Sequence, residues 1–201
     1  TGLTNLTNSD AYDDRAPAWS PDGRIAFQSL FNIWVMNADG SDPTQVTTGG
    51  GANSWPSWSP DGGRIAFSST RDGNDEIYVV DLISHAETRL TYTAASEGRV
   101  AWSPDGTTIA FVSNPSNDWE IFAMDPDGSD VRPVTQDLGD AFDPAWSPDS
   151  TKIVFDRGFS DIYVINRDGT GLHQVTHTTW PAQAPSRQSI TPPPPPPPPP
   201  P

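Results

Sequence analysis

Apolar and polar residues alternate in short runs over the first 176 residues, and the same order of runs returns four times. Each repeat begins with Trp-Ser-Pro-Asp and continues into an apolar run that contains Ile. A run that combines Ile with an aromatic residue follows, and a short run ending in Thr closes the repeat. Runs of β-branched and aromatic residues between Gly, Pro, Asp and Ser are typical of strands joined by tight turns. We therefore predict four strands in each repeat, named a, b, c and d in chain order.

The spacing of the repeats is set by a recurring Trp. The four copies are 39, 44 and 44 residues apart, a period typical of a β-propeller blade. In three of the copies the Trp is followed by Ser-Pro-Asp-Gly. This sequence suits a type I turn, because Pro presets φ at the second turn position. We predict an all-β propeller of four-stranded antiparallel blades, with four complete repeats and a spare N-terminal strand. The Trp residues predicted to be buried between blades are Trp19, Trp58, Trp102 and Trp146.

The recurrence of Trp-Ser-Pro-Asp in register with the same downstream runs resembles the WD-like repeat of TolB-type β-propellers. The resemblance covers roughly residues 1–176. It implies a propeller that serves as a binding platform, in the periplasm or secreted from the cell. The predicted localisation is therefore periplasmic or extracellular.

The chain divides into three segments by composition. Residues 1–176 hold the propeller repeats, and residues 1–7 closely match residues 170–176, which predicts a spare d strand that is β-paired. Residues 177–191 resemble a decayed fifth repeat or a covering strap. Residues 192–201 are ten consecutive prolines, which form a stiff polyproline II rod. We expect this rod to contact folded protein, on a neighbouring copy more than on its own propeller.

The formal charge of the chain is −15. Nucleic acids and anionic membranes bind to basic surfaces, so this charge argues against both as partners. No apolar run is long enough for a membrane-spanning helix, and the absence of cysteine excludes disulfides. We therefore expect no nucleic-acid partner and no membrane insertion.

Loop length varies at one end of the predicted blades. The b–c loops differ in length between the repeats, while the span from c to d is constant. The b–c and d–a loops lie at the same end of a blade. Function tends to lie on loops that a rigid scaffold presents. Trp and Arg are also favoured in binding hot spots. The predicted partner-binding residues at this end are Phe31, Trp55, Arg99, Trp119, Asp143 and Phe159. The alternative for Trp55 and Trp119 is packing over the neighbouring blade as structural caps.

Acidic residues in one turn are candidate metal ligands. Asp125, Asp127 and Asp130 resemble the start of a calcium loop, but the twelfth residue from Asp125 is Gln136 and not the Glu of an EF-hand. We therefore expect no cofactor and keep these three as the candidate calcium ligands. The sequence contains no Gly-x-Ser-x-Gly elbow and no recognisable Ser/His/Asp set, which argues against an enzyme.

These patterns predict a non-enzymatic module that binds a protein or peptide partner outside the cytoplasm. The alternative is a structural subunit of an extracellular polymer or filament. In that case the spare strand or the proline rod would dock on the next copy, because unpaired strand edges are templates for strand addition. Self-assembly is therefore the second kind of partnership that the sequence predicts.

Overall fold

The computed structural model describes residues 2, 4–7, 13–158 and 161–177, and these residues are all-β. Among them, no helix has the length and apolar character needed to cross a lipid bilayer. The sixteen strands of the described residues are β1 (Arg15–Trp19), β2 (Arg24–Ser29), β3 (Asn32–Asn37), β4 (Thr44–Gln45), β5 (Asn53–Trp58), β6 (Arg64–Ser69), β7 (Glu76–Asp81), β8 (Glu87–Arg89), β9 (Glu97–Trp102), β10 (Ile109–Ser113), β11 (Glu120–Met124), β12 (Arg132–Pro133), β13 (Ala141–Trp146), β14 (Lys152–Arg157), β15 (Asp161–Asn166) and β16 (His173–Gln174).

The strands form four sheets of four, and each sheet pairs its strands in chain order. All the pairings are antiparallel, so each sheet is one blade built from the predicted a, b, c and d strands. The a strands are β1, β5, β9 and β13, and the d strands are short. Fully buried aliphatic and Phe side chains of the b and c strands fill the space between sheets. The predicted all-β propeller of four-stranded blades is confirmed.

Three of the repeated Trp residues join neighbouring blades. The indole nitrogen of Trp58 donates to the carbonyl of Ala18 in the first blade at 3.1 Å. The indole nitrogen of Trp146 donates to the carbonyl of Ala101 in the third blade at 2.9 Å. Trp102 is buried in a cluster that includes apolar side chains of the second blade. Each of these residues therefore packs against the blade that precedes its own.

Arginine side chains lie over the same rings. Arg24 and Arg64 begin b strands, and their guanidinium carbons lie 4.8 and 4.9 Å from the centre of the Trp ring in the following blade. At the third interface Arg167 lies 5.8 Å from the Trp146 ring and forms a 2.9 Å ion pair with Asp105 of the third blade. Cation–π contacts thus cross the first two junctions of the described residues, and an ion pair crosses the third, where the arginine and the Trp ring belong to the same blade.

Trp58 and Trp102 are buried and Trp146 is partly buried, whereas Trp19 does not follow the prediction that all four Trp residues are buried. Its side chain is 66% exposed. The reason is positional, because β1 belongs to the first sheet and the described residues supply no earlier sheet for the ring to contact. Strands of consecutive blades contact one another, whereas strands of the first and fourth blades do not, so the described sheets form an open arc.

The N-terminal segment lies where the d strand of an earlier blade would lie. Leu6 packs against Ile25, Phe27 and Met36 of the first blade. A Cβ added at Gly40 would come within 2.7 Å of the Leu6 carbonyl oxygen. In the third and fourth blades, a Cβ added at the equivalent glycine would come similarly close to the backbone at the d strand of the preceding blade. Residues 4–7 nevertheless form no strand, so the predicted β-pairing is not found in the described part of this segment. Residues 178–201, with most of the predicted strap and the whole proline rod, lie outside the described residues.

Candidate binding site at the b–c and d–a end

A β-bulge interrupts every a strand at the same position. The register with the b strand shifts there in all four blades. The residues at the bulge have left-handed φ values of 49°, 55°, 50° and 51°, which are Ala16, Trp55, Arg99 and Asp143 in order. Left-handed backbone is uncommon for residues other than Gly, and bulges re-aim side chains near functional sites. The bulge therefore turns one chosen side chain per blade towards the same end of the propeller.

The four bulge residues line one cavity of about 210 Å³, which we call the central mouth. Arg99 links the side chains around this cavity, since its guanidinium forms a 2.6 Å ion pair with Asp143. The guanidinium carbon of Arg99 also lies 5.1 Å from the centre of the Trp55 ring and 4.8 Å from that of Phe142. Three residues that the sequence places at this end thus contact one another in the folded chain.

A second cavity of about 310 Å³ adjoins the central mouth, and we call it the inter-blade pocket. It lies between the second and third blades at the same end. Trp55, Trp119 and Phe142 form its aromatic walls, and Arg99 lies at the boundary with the central mouth. Apolar walls with a few polar groups are typical of sites for small ligands and single side chains.

Trp119 has a packing role as well as a place in the pocket wall. Its ring centre lies 5.8 Å from that of Phe142, and its backbone nitrogen donates to the Asp140 carboxylate at 3.1 Å. Phe31 is exposed in the b–c turn of the first blade and lines neither cavity. Phe159 lies outside the described residues.

The polar floor of the pocket contains two carboxyl groups that are not among the predicted partner-binding residues. Asp75 and Glu97 line it together with the hydroxyls of Ser54 and Ser68, which lie 2.8 Å apart. Burial raises the pKa of Asp75, and its carboxylate has no hydrogen bond or ion pair with a described residue. This half-buried acid therefore has no local donor to stabilise its charge.

Glu97 is only 2% exposed. Its Oε1 accepts hydrogen bonds from the hydroxyls of Thr93 and Ser113, while its Oε2 has no donor among the described residues. Burial raises the pKa of the Glu97 carboxyl to about 7, the Thr93 hydroxyl opposes that rise, and the neighbouring Glu76 carboxylate adds to it. The Thr91 hydroxyl, which donates to Glu76, also lowers the pKa of Glu97. Two carboxyls this close cannot both ionise cheaply, so near neutral pH Glu97 carries its proton part of the time.

Glu76 is the better satisfied member of this pair. It is fully buried, and its carboxylate accepts from Arg89 at 2.7 Å and from the Thr91 hydroxyl at 2.7 Å. The corresponding residues one blade earlier are both amides, and Asn53 donates to Asn32 at 3.3 Å. Comparison of the repeats position by position would have revealed the exchange of an amide pair for an acid pair.

Two of the three candidate calcium ligands, Asp127 and Asp130, have partners within their own hairpin. Asp127 accepts from the backbone nitrogen of Ser129 at 3.0 Å and from its hydroxyl at 2.6 Å. Asp130 forms a 2.7 Å ion pair with Arg132. In the described part of the chain, no group of three or more His, Asp or Glu side chains is arranged to hold a metal ion.

Removal of divalent cations should therefore change stability little. We expect EDTA to shift the melting temperature by no more than about 2 °C, because an ion stabilises the folded state only by binding to it and the described residues offer no cluster that would hold one. Differential scanning calorimetry with and without added calcium measures this shift. A fall of many degrees in EDTA, restored by calcium, would show that the acidic turn binds metal after all.

The fold and site define a β-propeller whose variable side chains gather at one end. Residues 15–119 match the family described as the Tricorn protease N-terminal beta propeller domain. The chain therefore belongs to that family, and its blades are of the TolB type.

Similar proteins match only over part of their length. The chain is 36% identical over 70 residues to a protein TolB homolog from Chlorobium luteolum, which is 33% of this chain and 16% of that protein. It is 39% identical over 64 residues to the Tol-Pal system protein TolB of Alcanivorax borkumensis, 29% of this chain and 15% of that protein. The chain thus matches less than a fifth of the length of either relative.

Solved structures share the fold. The crystal structure of TolB from Acinetobacter baumannii superposes with a TM-score of 0.75 at 24% identity, covering 87% of this chain and 46% of that one. An oligogalacturonate lyase from Vibrio parahaemolyticus superposes with a TM-score of 0.68 at 15% identity, covering 87% of this chain and 56% of that one. At these identities the likeness concerns architecture alone.

Proposed function

We propose that the chain is a non-enzymatic module that binds a protein or peptide partner through the central mouth and the inter-blade pocket. The observation that carries this proposal is the bulge. In all four blades the residue at the bulge of the a strand has a left-handed φ, and three of these residues have side chains suited to recognition. Trp55 and Arg99 are of the types most frequent in binding hot spots, and both belong to a rigid strand framework.

The electrostatics of the mouth fit a partner with polar and charged groups. Arg99 and Asp143 are 27% and 52% exposed at their side chains, so a partner that covers their ion pair would desolvate it. Exposed pairs contribute little to stability on their own, and their main effect at an interface is on orientation and specificity. This mouth would therefore select a partner by charge pattern as well as by shape.

Binding without catalysis agrees with what surrounds the two cavities. Neither is lined by a His, so no imidazole is present there to serve as a general base. The lyase neighbour shows that this architecture can carry an enzyme, but at 15% identity it transfers no residue role. A periplasmic location is the one we favour, supported by relatives named as Tol-Pal system proteins. The filament alternative depends on the proline rod and the spare strand, and it stays a prediction.

Replacement of Trp55 by Ala should weaken partner capture about tenfold or more, because a hot-spot Trp contributes a large buried area. The measurement is retention of envelope proteins of the source organism on the immobilised chain, quantified by mass spectrometry. Trp55 is 42% exposed, so we expect the melting temperature to change little.

The matched control is Ile83→Ala, at the opposite end of the second blade. Ile83 is 89% exposed in a c–d turn, so its removal deletes a comparable apolar contact away from the proposed face. Equal retention by the wild type and the Trp55 variant would contradict the proposal. A large fall in melting temperature with unchanged retention per folded molecule would instead establish Trp55 as a structural cap.

A further inference from the structure

We propose that the inter-blade pocket binds a primary ammonium group, presented by the partner as a lysine side chain or as a chain amino terminus. The proposal rests on the proposed function and adds the chemistry that the pocket recognises. It is carried by Glu97 and Asp75, two acids that line a cavity with aromatic walls.

The shape of the pocket suits one slender cationic group. Its volume of about 310 Å³ is enough for a single long side chain. Trp is the strongest cation–π partner among the aromatic residues, and Trp55 and Trp119 both contribute to the walls. The methylene stem of a lysine would contact these rings while its ammonium reached the polar floor.

The two acids of the floor are short of hydrogen-bond donors. Glu97 Oε2 is buried and has no donor among the described residues, which is rare for a buried carboxyl oxygen in a folded protein. The Asp75 carboxylate likewise accepts no hydrogen bond from a described residue. An ammonium group carries three donors and no acceptor, so it can serve both acids and still reach a Ser54 or Ser68 hydroxyl.

The balance of charge favours a cation. Each nearby arginine already has a carboxylate, since Arg99 pairs with Asp143 and Arg89 pairs with Glu76. Asp75 and Glu97 remain without a counter-charge. Calcium is a poorer candidate, because it requires six or more oxygen ligands at close range and no suitable cluster occurs in the described residues.

Protonation of Glu97 should compete with the ligand. The charged neighbour of its carboxyl is Glu76 at the start of β7, which pairs with Arg89 on β8. Asp75, before β7, and Arg99, on β9, line the same pocket. With the pKa of Glu97 near 7, an ammonium ligand binds best to the ionised form. Affinity should therefore rise as pH increases from 6 to 8, and the protein should release a fraction of a proton on binding at pH 7.

The test is calorimetric titration with short synthetic peptides at about 0.15 M salt, where distant charges are screened. The probes are acetyl-Gly-Lys-Gly-amide, the same peptide with Nε-acetylated lysine, and Gly-Gly-Gly-amide with a free amino terminus. We expect binding of at least one of the two peptides that carry an ammonium, and no heat from the acetyl-lysine peptide. Which one binds identifies the source of the ammonium group.

Two variants remove the proposed acceptors, and one serves as their control. Glu97→Gln and Asp75→Asn should each weaken peptide binding about tenfold or more, as expected on loss of a desolvated charge partner. Asp118→Asn removes an exposed acid at the same end, outside the pocket, and should leave affinity within about twofold. Glu97→Gln should also abolish the pH dependence.

Binding of the acetyl-lysine peptide as tightly as the lysine peptide would overturn the proposal. So would equal affinity of the Glu97 variant and the control, or no binding of any ammonium peptide. These failures are distinguishable from failure of the proposed function. If partner capture still depends on Trp55 while the peptides do not bind, the face is an interface and its pocket does not recognise ammonium.

Discussion

Replacing Trp102 with Ala should lower the free energy of unfolding by roughly 3–5 kcal/mol, the range of large-to-small substitutions of aromatic core residues. Trp102 is 6% exposed. Its backbone nitrogen donates to the Ser57 hydroxyl in the second blade at 2.9 Å, and Arg64 lies 4.9 Å from its ring centre. The truncation therefore removes apolar contacts and a cation–π contact from one blade-to-blade junction.

For a chain of this size, that loss corresponds to a fall in melting temperature of roughly 6–20 °C. Trp19→Ala is the matched control, because the residue and its turn are the same but the ring is 66% exposed. We expect that control to cost less than about 1 kcal/mol. Urea denaturation followed by circular dichroism measures both. Similar losses for the two variants would contradict the assignment of the junctions.

Glu97→Gln should stabilise the protein at pH 8 and flatten its dependence on pH. The pKa of Glu97 in the folded chain is raised from 4.5 to about 7, chiefly by burial. Over the interval between these values the folded state holds a proton that the unfolded state has lost. The contribution of Glu97 to stability is therefore fully present below pH 4.5 and is lost as pH rises through 7. A Gln at this position does not titrate and can donate a hydrogen bond to Glu76.

The measurement is the melting temperature between pH 5 and pH 8.5. The wild type should lose several degrees over this range, and the Glu97 variant should lose much less. The range avoids the turn aspartates, since a hydrogen bond from the Ser147 hydroxyl lowers the pKa of Asp149 to about 2. Glu120→Gln is the control, because the position that Glu97 occupies after Glu76 is occupied by Ala141 after Glu120. The backbone nitrogens of Glu97 and Ala141 donate to the residues just before these two acids, Asp75 and Trp119. An unchanged slope in the Glu97 variant would show that the acid pair is not what titrates.

The repeat spacing was sufficient to predict the blades. Trp-Ser-Pro-Asp and its downstream runs are local signals, since the turn and the strands depend on neighbouring residues. The gathering of variable side chains at one end was also predictable, because loop length and side-chain type varied there. Arg99 and Asp143 were placed together on this reasoning, and they form an ion pair.

Other features depend on contacts between blades and were not visible in a single repeat. Trp19 has the same local sequence as its three counterparts, and only the lack of a described sheet before it leaves it exposed. The left-handed bulge gave no signal, because Ala, Trp, Arg and Asp replace the Gly that usually marks such a backbone. Asp75 and Glu97 are ordinary acids in sequence, and their pKa values rise because of the burial that the fold imposes.

At the bulge of the central mouth, the backbone conformation does not depend on the type of side chain. Four chemically unrelated residues occupy it with φ values between 49° and 55°. The geometry disfavours β-branched residues and leaves most other types open. Substitution of these four residues would therefore change the chemistry of this end while the strand ladders and the Trp junctions stayed as they are. Such a surface is well suited to diversification, in evolution or in a designed library.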